Sequence, residues 1–224
     1  MIIEPGLCQD QSRELNDLLG WAMRVTSDEW NGLDLRVHAL LAGVPVHDVW
    51  AVDLPGGRRG LALADLRAVL AERVAMSNAA VRSLFALRRA IGRVVGWERV
   101  REHSDPPPIF RDRLTEADRT ASLVPPGTVD GPFRALYVLP RESASEIWNG
   151  TVHAVSSYAL VERENGYRLY WAIYVRSVGR ITAPYMRLID PFRRFIIYPA
   201  LLRSVHAAWM RDFAAAVGPS ESQL

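Results

Sequence analysis

The chain contains no lysine: all 27 basic residues among its 224 are arginine. A GC-biased genome would encode such a pattern, and whatever its origin it has chemical consequences. There is no Schiff-base lysine and no P-loop lysine, which removes several enzyme classes at once. Cysteine is nearly as scarce. The single Cys8 excludes an internal disulfide and makes a reducing cytoplasm the expected location. Long apolar runs are missing as well, since no stretch approaches the roughly 20 residues that span a bilayer. Stable membrane insertion is therefore not expected. The opening "MIIEPGLCQDQ" has acids early and no long apolar run, so no signal peptide is expected there. Metal-ligand spacing is absent: His38, His47, His103, His153 and His206 form no pairs, and no cysteine cluster accompanies them. Neither a metal nor another cofactor is expected. No G-x-S-x-G occurs, and "LPGGRRG" (54–60) lacks dinucleotide-loop spacing and reads as a turn. The pI of 8.9 accompanies a net charge of only +2, because 25 acids are interspersed with the arginines. No extended basic face for nucleic acid results.

What is present suits one sizeable globular domain, with 49% apolar and 23% charged residues. Leu15, Leu18, Leu19 and Met23 have helical spacing over residues 10–24, and 1–34 read as an N-terminal helical appendage. "VHDVWAVDLP" (46–55) reads as a strand. A helix is expected over 62–74, and Asn78 can cap another through about Gly96. Residues 103–132 hold "DPPP", "VPPG" and "DGP", the composition of a loop insertion, with a short helix at "TEAD" where Thr115 caps and Asp118 answers. "FRALYVL" (133–139) is a strand. Two long runs, 147–162 and 167–178, follow and are joined by "RENG", whose Asn165-Gly166 suits a type I′ hairpin turn. Residues 182–217 are helical in composition, with Pro184, Pro191 and Pro199 inside, and 218–224 are expected to be disordered. The order gives an α+β fold: an antiparallel sheet wrapped around a long C-terminal helix, with two shorter helices after the first strand.

"FRALYVLPRESASEIWNGTVHAVSSYAL" followed by "YRLYWAIYVRSVGRITAPYMRLIDPFRRFIIYPALLR" resembles a bacterial domain of unknown function in the START-like, or SRPBCC, superfamily. "HDVWAVDLP" and "AVRSLFALRRAIGRVVGWE" fit the same pattern, so the likeness covers roughly residues 35–212 of a single domain over 35–217. The resemblance implies a helix-grip fold that holds a hydrophobic ligand between a curved sheet and the C-terminal helix. Relatives of that kind include polyketide cyclases, lipid carriers and hormone receptors. It supplies no catalytic residues, and residues 103–132 and the first thirty or so depart from the superfamily core.

Around an Asn165-Gly166 turn, residue i would pair with residue 331 − i, and alternation would divide the hairpin into two surfaces. One carries Trp148, Val152, Ala154, Ser156, Tyr158, Leu160, Trp171, Ile173 and Val175. This apolar surface is expected to meet the helix. The other carries Asn149, Thr151, His153, Val155, Ser157, Ala159, Tyr170, Ala172, Tyr174 and Arg176. Only Arg176 is charged there, as suits a cavity wall, a homodimer interface or simply a polar outer face.

His153, Glu146 and Tyr174 are the acid–base candidates, with Asn149 and Thr151 able to orient a carbonyl. If Asp190-Pro191 starts a helix, Arg193 and Arg194 sit unfavourably in its first turn. Either an internal carboxylate such as Asp190 or Glu142, or an anionic ligand group, would then offset them. The eight residues "FIIYPALL" extend about 12 Å as a helix, too short to cross a membrane. Their apolar character all round predicts burial on several sides. Phe192, Phe195, Ile196 and Tyr198 become expected cavity walls, joined by Tyr185, Trp148, Ser157, Tyr158, Tyr170 and Trp171. The leading expectation is a cofactor-free pocket for a polyketide-, terpenoid- or lipid-like molecule, with cyclisation, dehydration or isomerisation carried by His153 or Glu146. A non-catalytic carrier and a dimeric interaction module are the alternatives.

Overall fold

A computed structural model describes residues 22–67, 107, 109–148, 152–180 and 182–214. Its centre is a curved, open antiparallel sheet of seven strands in the order β1-β2-β7-β6-β5-β4-β3. The strands are β1 (Ala22–Arg24), β2 (Val46–Pro55), β3 (Val129–Asp130), β4 (Phe133–Val138), β5 (Glu142–Trp148), β6 (His153–Arg163) and β7 (Gly166–Arg176). Short helices α1 (Ser27–Asn31) and α2 (Arg36–Leu40) precede β2, and α3 (Glu116–Ala121) precedes β3. A long helix, α4, closes the described chain as Thr182–Phe192, a π turn at Arg193–Ile197, and Tyr198–Asp212. The fold class is α+β, as the pattern of elements predicts.

Several local expectations hold. β2 has the predicted bounds, and Thr115 and Asp118 form the reciprocal capping box of α3. Helix does begin over 63–67, but the rest of 62–74 and the whole of 78–96 lie outside the described residues. Within 10–24, residues 22–24 form an edge strand rather than helix.

The hairpin differs in two ways. Its turn is Glu164–Asn165, one residue earlier than expected, so Arg163 pairs with Gly166 and Ser157 with Ala172. Among the described residues none other than glycine has positive φ, which rules out a type I′ turn at Glu164–Asn165. Gly166 instead takes φ 142°, and an added Cβ would lie 2.3 Å from the Leu54 carbonyl oxygen. The neighbouring strand's backbone therefore requires glycine there. Because the register moves by two residues, each side chain of the hairpin keeps its face. The second difference does change faces. The run 147–162 is two strands, β5 and β6, and Trp148 pairs with His153. Trp148 thus joins the surface of His153, opposite to the one expected.

Both faces of the sheet are buried. The front face packs Trp50, Leu160, Leu169 and Trp171 against Ile197, Tyr198, Leu202 and Trp209 of α4. The back face packs Val155, Ala159, Tyr170, Ala172 and Tyr174 against Trp30, Val37, Leu40, Phe110 and Leu114. The uncharged hairpin surface is therefore neither a solvent face nor open to a second chain. The segments that seemed peripheral in the sequence cover it.

Helix α4 runs through Pro191 instead of restarting there. Its buried positions Thr182, Tyr185, Met186, Ile189 and Arg193 follow α-helical spacing, as do Tyr198, Leu202, Val205 and Trp209. Arg193 to Tyr198 is a step of five, which a π turn stacks on one side. Proline at 199 has no N–H and would clash with the carbonyl four residues back in a regular helix, and the π turn relieves that clash.

Candidate functional site

The β2 register is irregular between Val46, opposite Tyr174, and Asp48, opposite Ile173. This bulge leaves His47 unpaired and lets two consecutive side chains reach the same side, which ordinary alternation forbids. His47 Nε2 lies 3.0 Å from both carboxylate oxygens of Asp190 on α4. Asp48 is buried, with Arg24 at 3.3 Å and Arg194 at 3.2 Å. Arg193 donates to Asp190 at 3.0 Å and also to the Tyr198 hydroxyl, and its guanidinium lies over the Tyr198 ring at 5.2 Å. Burial alone would raise the Asp190 pKa. The His47 hydrogen bond and the positive charges of His47, Arg193 and Arg194 outweigh it and hold that pKa below the ordinary value.

The anion-site argument for Arg193 and Arg194 therefore lapses. Neither lies in a first helical turn, and carboxylates of the chain itself answer both. Asp190 was among the expected partners, whereas Asp48 was not. One ligand atom each from His47, Asp48 and Asp190 lies within 4.8 Å of the others, a grouping that could hold a metal ion. The three guanidiniums already outnumber the two carboxylates. A divalent cation would add like charge, so the group suits a salt-bridge cluster joining β1, β2 and α4 better than a metal centre.

Beyond this cluster, the front face is floored with small residues. One row across the sheet reads Ala135, Ser145, Ser156, Ile173 and Asp48; the next reads Val138, Ser143, Tyr158, Trp171 and Trp50. Ser156 accepts a hydrogen bond from Trp171 Nε1 at 2.8 Å, and the Tyr158 and Trp171 rings stack with centroids 5.8 Å apart. Ser143 is 0% exposed, and its hydroxyl has no hydrogen-bond partner. Ala135 and Val138 are buried, yet neither belongs to an apolar cluster of the described residues. Sequence reasoning missed Ser143 and Ser145 because it read β5 as beginning only at residue 147.

On the back face, two of the three acid–base candidates lie side by side. His153 Nε2 donates to Glu146 Oε2 at 2.8 Å, and both residues are fully buried. Arg111 Nε lies 3.6 Å from the other Glu146 oxygen, and the Phe110 ring packs 4.6 Å from the imidazole. His153 Nδ1 has no hydrogen-bond partner. Tyr174, the third acid–base candidate, is engaged elsewhere: its hydroxyl accepts from Trp30 Nε1 at 2.7 Å, and burial raises its pKa. Glu142, the other expected carboxylate, accepts from the Arg36 backbone at 2.7 Å and from Tyr137 at 3.1 Å, far from the arginines of α4. Burial raises its pKa despite those bonds.

The expected ligand residues thus divide between two faces. Tyr158, Trp171, Tyr185, Arg193 and Tyr198 are on the front, while Trp148, His153, Ser157, Tyr170 and Tyr174 are on the back. Ser157 donates to the Ser143 carbonyl oxygen, Tyr170 donates to Glu29, and Arg176 is exposed. Phe192, Phe195 and Ile196 are not cavity walls: they are 38%, 51% and 53% exposed on the outer side of α4. Apolar character all round the helix does not mean burial all round here. Asn149 and Thr151 lie outside the described residues.

An antiparallel sheet gripping a C-terminal helix, with a hydroxyl-lined floor beside it, places the chain among α+β domains compatible with a helix-grip fold. More particularly, it belongs to the DUF2867 family of proteins of unknown function, whose model matches residues 40–200. No curated protein and no solved structure matches the chain.

Proposed function

We propose that this protein binds and carries an apolar small molecule bearing one hydrogen-bonding group, held on the front face over β4–β6 and beside α4. The observation that carries this reading is the Ser143 hydroxyl, buried without a partner on a floor of serine and alanine. A buried unpaired hydroxyl costs about 1–3 kcal/mol, which a ligand oxygen or nitrogen would recover. Trp171 and Tyr158 supply the flat apolar wall such sites use. Native mass spectrometry of gently purified protein should reveal a bound apolar mass. Ser145→Leu, which fills the floor, should lose that mass while the thermal midpoint stays near wild type. Absence of any bound mass, or its retention in Ser145→Leu, would sink the proposal.

Catalysis by the Glu146–His153 pair is the second reading, favoured by the unpartnered His153 Nδ1. That nitrogen is on the opposite side of the sheet from the floor, beneath Phe110, so one ligand cannot occupy both places. A cyclase, dehydratase or isomerase using this pair would need its substrate on the back face. Loss of turnover in His153→Gln without loss of the front-face ligand would favour this reading over a carrier.

A further inference from the structure

The outer side of α4 departs from the usual surface of a helix packed on a sheet. Leu188, Phe192, Phe195 and Ile196 are 45%, 38%, 51% and 53% exposed, and Ala183, Pro184 and Pro191 are exposed among them. Exposed apolar residues gathered in this way mark an interaction surface. The charge along this side is predominantly positive. Arg187, Arg203 and Arg211 are exposed along the helix, and Arg176 and Arg180 are exposed just before it. Helix α4 carries two acids: Asp190, which is engaged with His47 and Arg193 on the inner side, and Asp212 at its last position, about five turns beyond the phenylalanines.

We propose that α4 docks this protein flat on an anionic lipid surface, with the phenylalanines in the headgroup boundary and the arginines on lipid phosphates. An apolar helical face rimmed by arginine is the composition of an interfacial helix. No described helix is long and apolar enough to cross a membrane, so the contact is peripheral. A second copy of the chain fits less well, because a two-fold contact through this face would set arginine against arginine beside the phenylalanines. The surface stands on exposure and charge alone and does not depend on a front-face ligand.

The full chain should float with vesicles of phosphatidylcholine mixed with phosphatidylglycerol and much less with phosphatidylcholine alone, and salt should weaken the binding. The double variant Phe192→Ser/Phe195→Ser should lose at least about tenfold in vesicle affinity. Arg187→Glu/Arg203→Glu should lose severalfold or more, and only on the anionic vesicles. Circular dichroism and the thermal midpoint should stay at wild-type values in both, since all four side chains are exposed. The proposal is overturned if the wild type ignores anionic vesicles or if the phenylalanine variant binds them unchanged. It is also overturned if light scattering finds a dimer that this variant splits into monomers, which would give the face to a second copy.

Discussion

On the back of the sheet, polar side chains are answered by chain segments brought in from outside it. Arg36 and Trp30 reach in from the N-terminal helices, and Arg111 from the loop before α3. On the front, α4 supplies Asp190 and Arg194 at the β1–β2 end, and the segment after β2 answers the Tyr167 hydroxyl through the Arg58 carbonyl and the Leu61 N–H. Further along, the Ser143 hydroxyl remains unanswered. Two layers of similar burial therefore carry different information. Each layer leaves a buried polar atom over, His153 Nδ1 on the back and the Ser143 hydroxyl on the front, but the back layer's other polar groups pin a cover in place.

The largest effect that would test this contrast is on the back. His153→Ala removes the 2.8 Å hydrogen bond to Glu146, leaves the carboxylate Arg111 at 3.6 Å as an ion-pair partner and opens a cavity beneath Phe110. Urea denaturation should show a loss of about 3 kcal/mol. Replacing both residues with leucine should recover much of that loss. If His153→Ala is nearly neutral, the pair does not hold the cover. On the front, Tyr198→Phe keeps the ring but removes the hydroxyl that Arg193 contacts, and should cost about 1–3 kcal/mol by the same assay. Thr115→Ala breaks the capping box of α3 on the back and should cost about 1 kcal/mol.

The smallest effect is present at neutral pH and disappears in acid. Burial opposes ionisation of Asp118 and Asp190. Hydrogen bonds from Arg36 and Thr115 in one case, and His47 with nearby arginines in the other, nevertheless hold both pKa values below the ordinary range. A depressed native pKa stabilises the fold above the unfolded value, near 3.9, and that contribution is lost as pH falls below about 4. Asp190→Asn should flatten the acid limb of a stability–pH curve by removing the front contribution, leaving that of Asp118. An unchanged acid limb would mean that Asp190 is not tied to α4 in solution.

Much of the fold was legible because period-two and helical patterns are local. β2, β4, the capping box and the helix-facing side of the hairpin follow from short windows of residues. What escaped was non-local or depended on irregular backbone. Trp148 changed faces because a chain reversal interrupts an apolar run that alternation alone could not divide. The His47–Asp48 cluster needs a bulge, since adjacent strand residues otherwise point apart. Glu146 and His153 were legible as residue types and do meet. That a separate segment carrying Phe110 seals them was not readable from either.

The π turn fixes a phase. One residue of helix amounts to about 100° of rotation, so the extra residue between Arg193 and Tyr198 sets the azimuth of everything after it. Deleting one residue there would leave Asp190 facing His47 while turning Leu202, Val205 and Trp209 off the sheet. The two halves of α4 are separate keys on one shaft, and this turn sets the angle at which both fit at once.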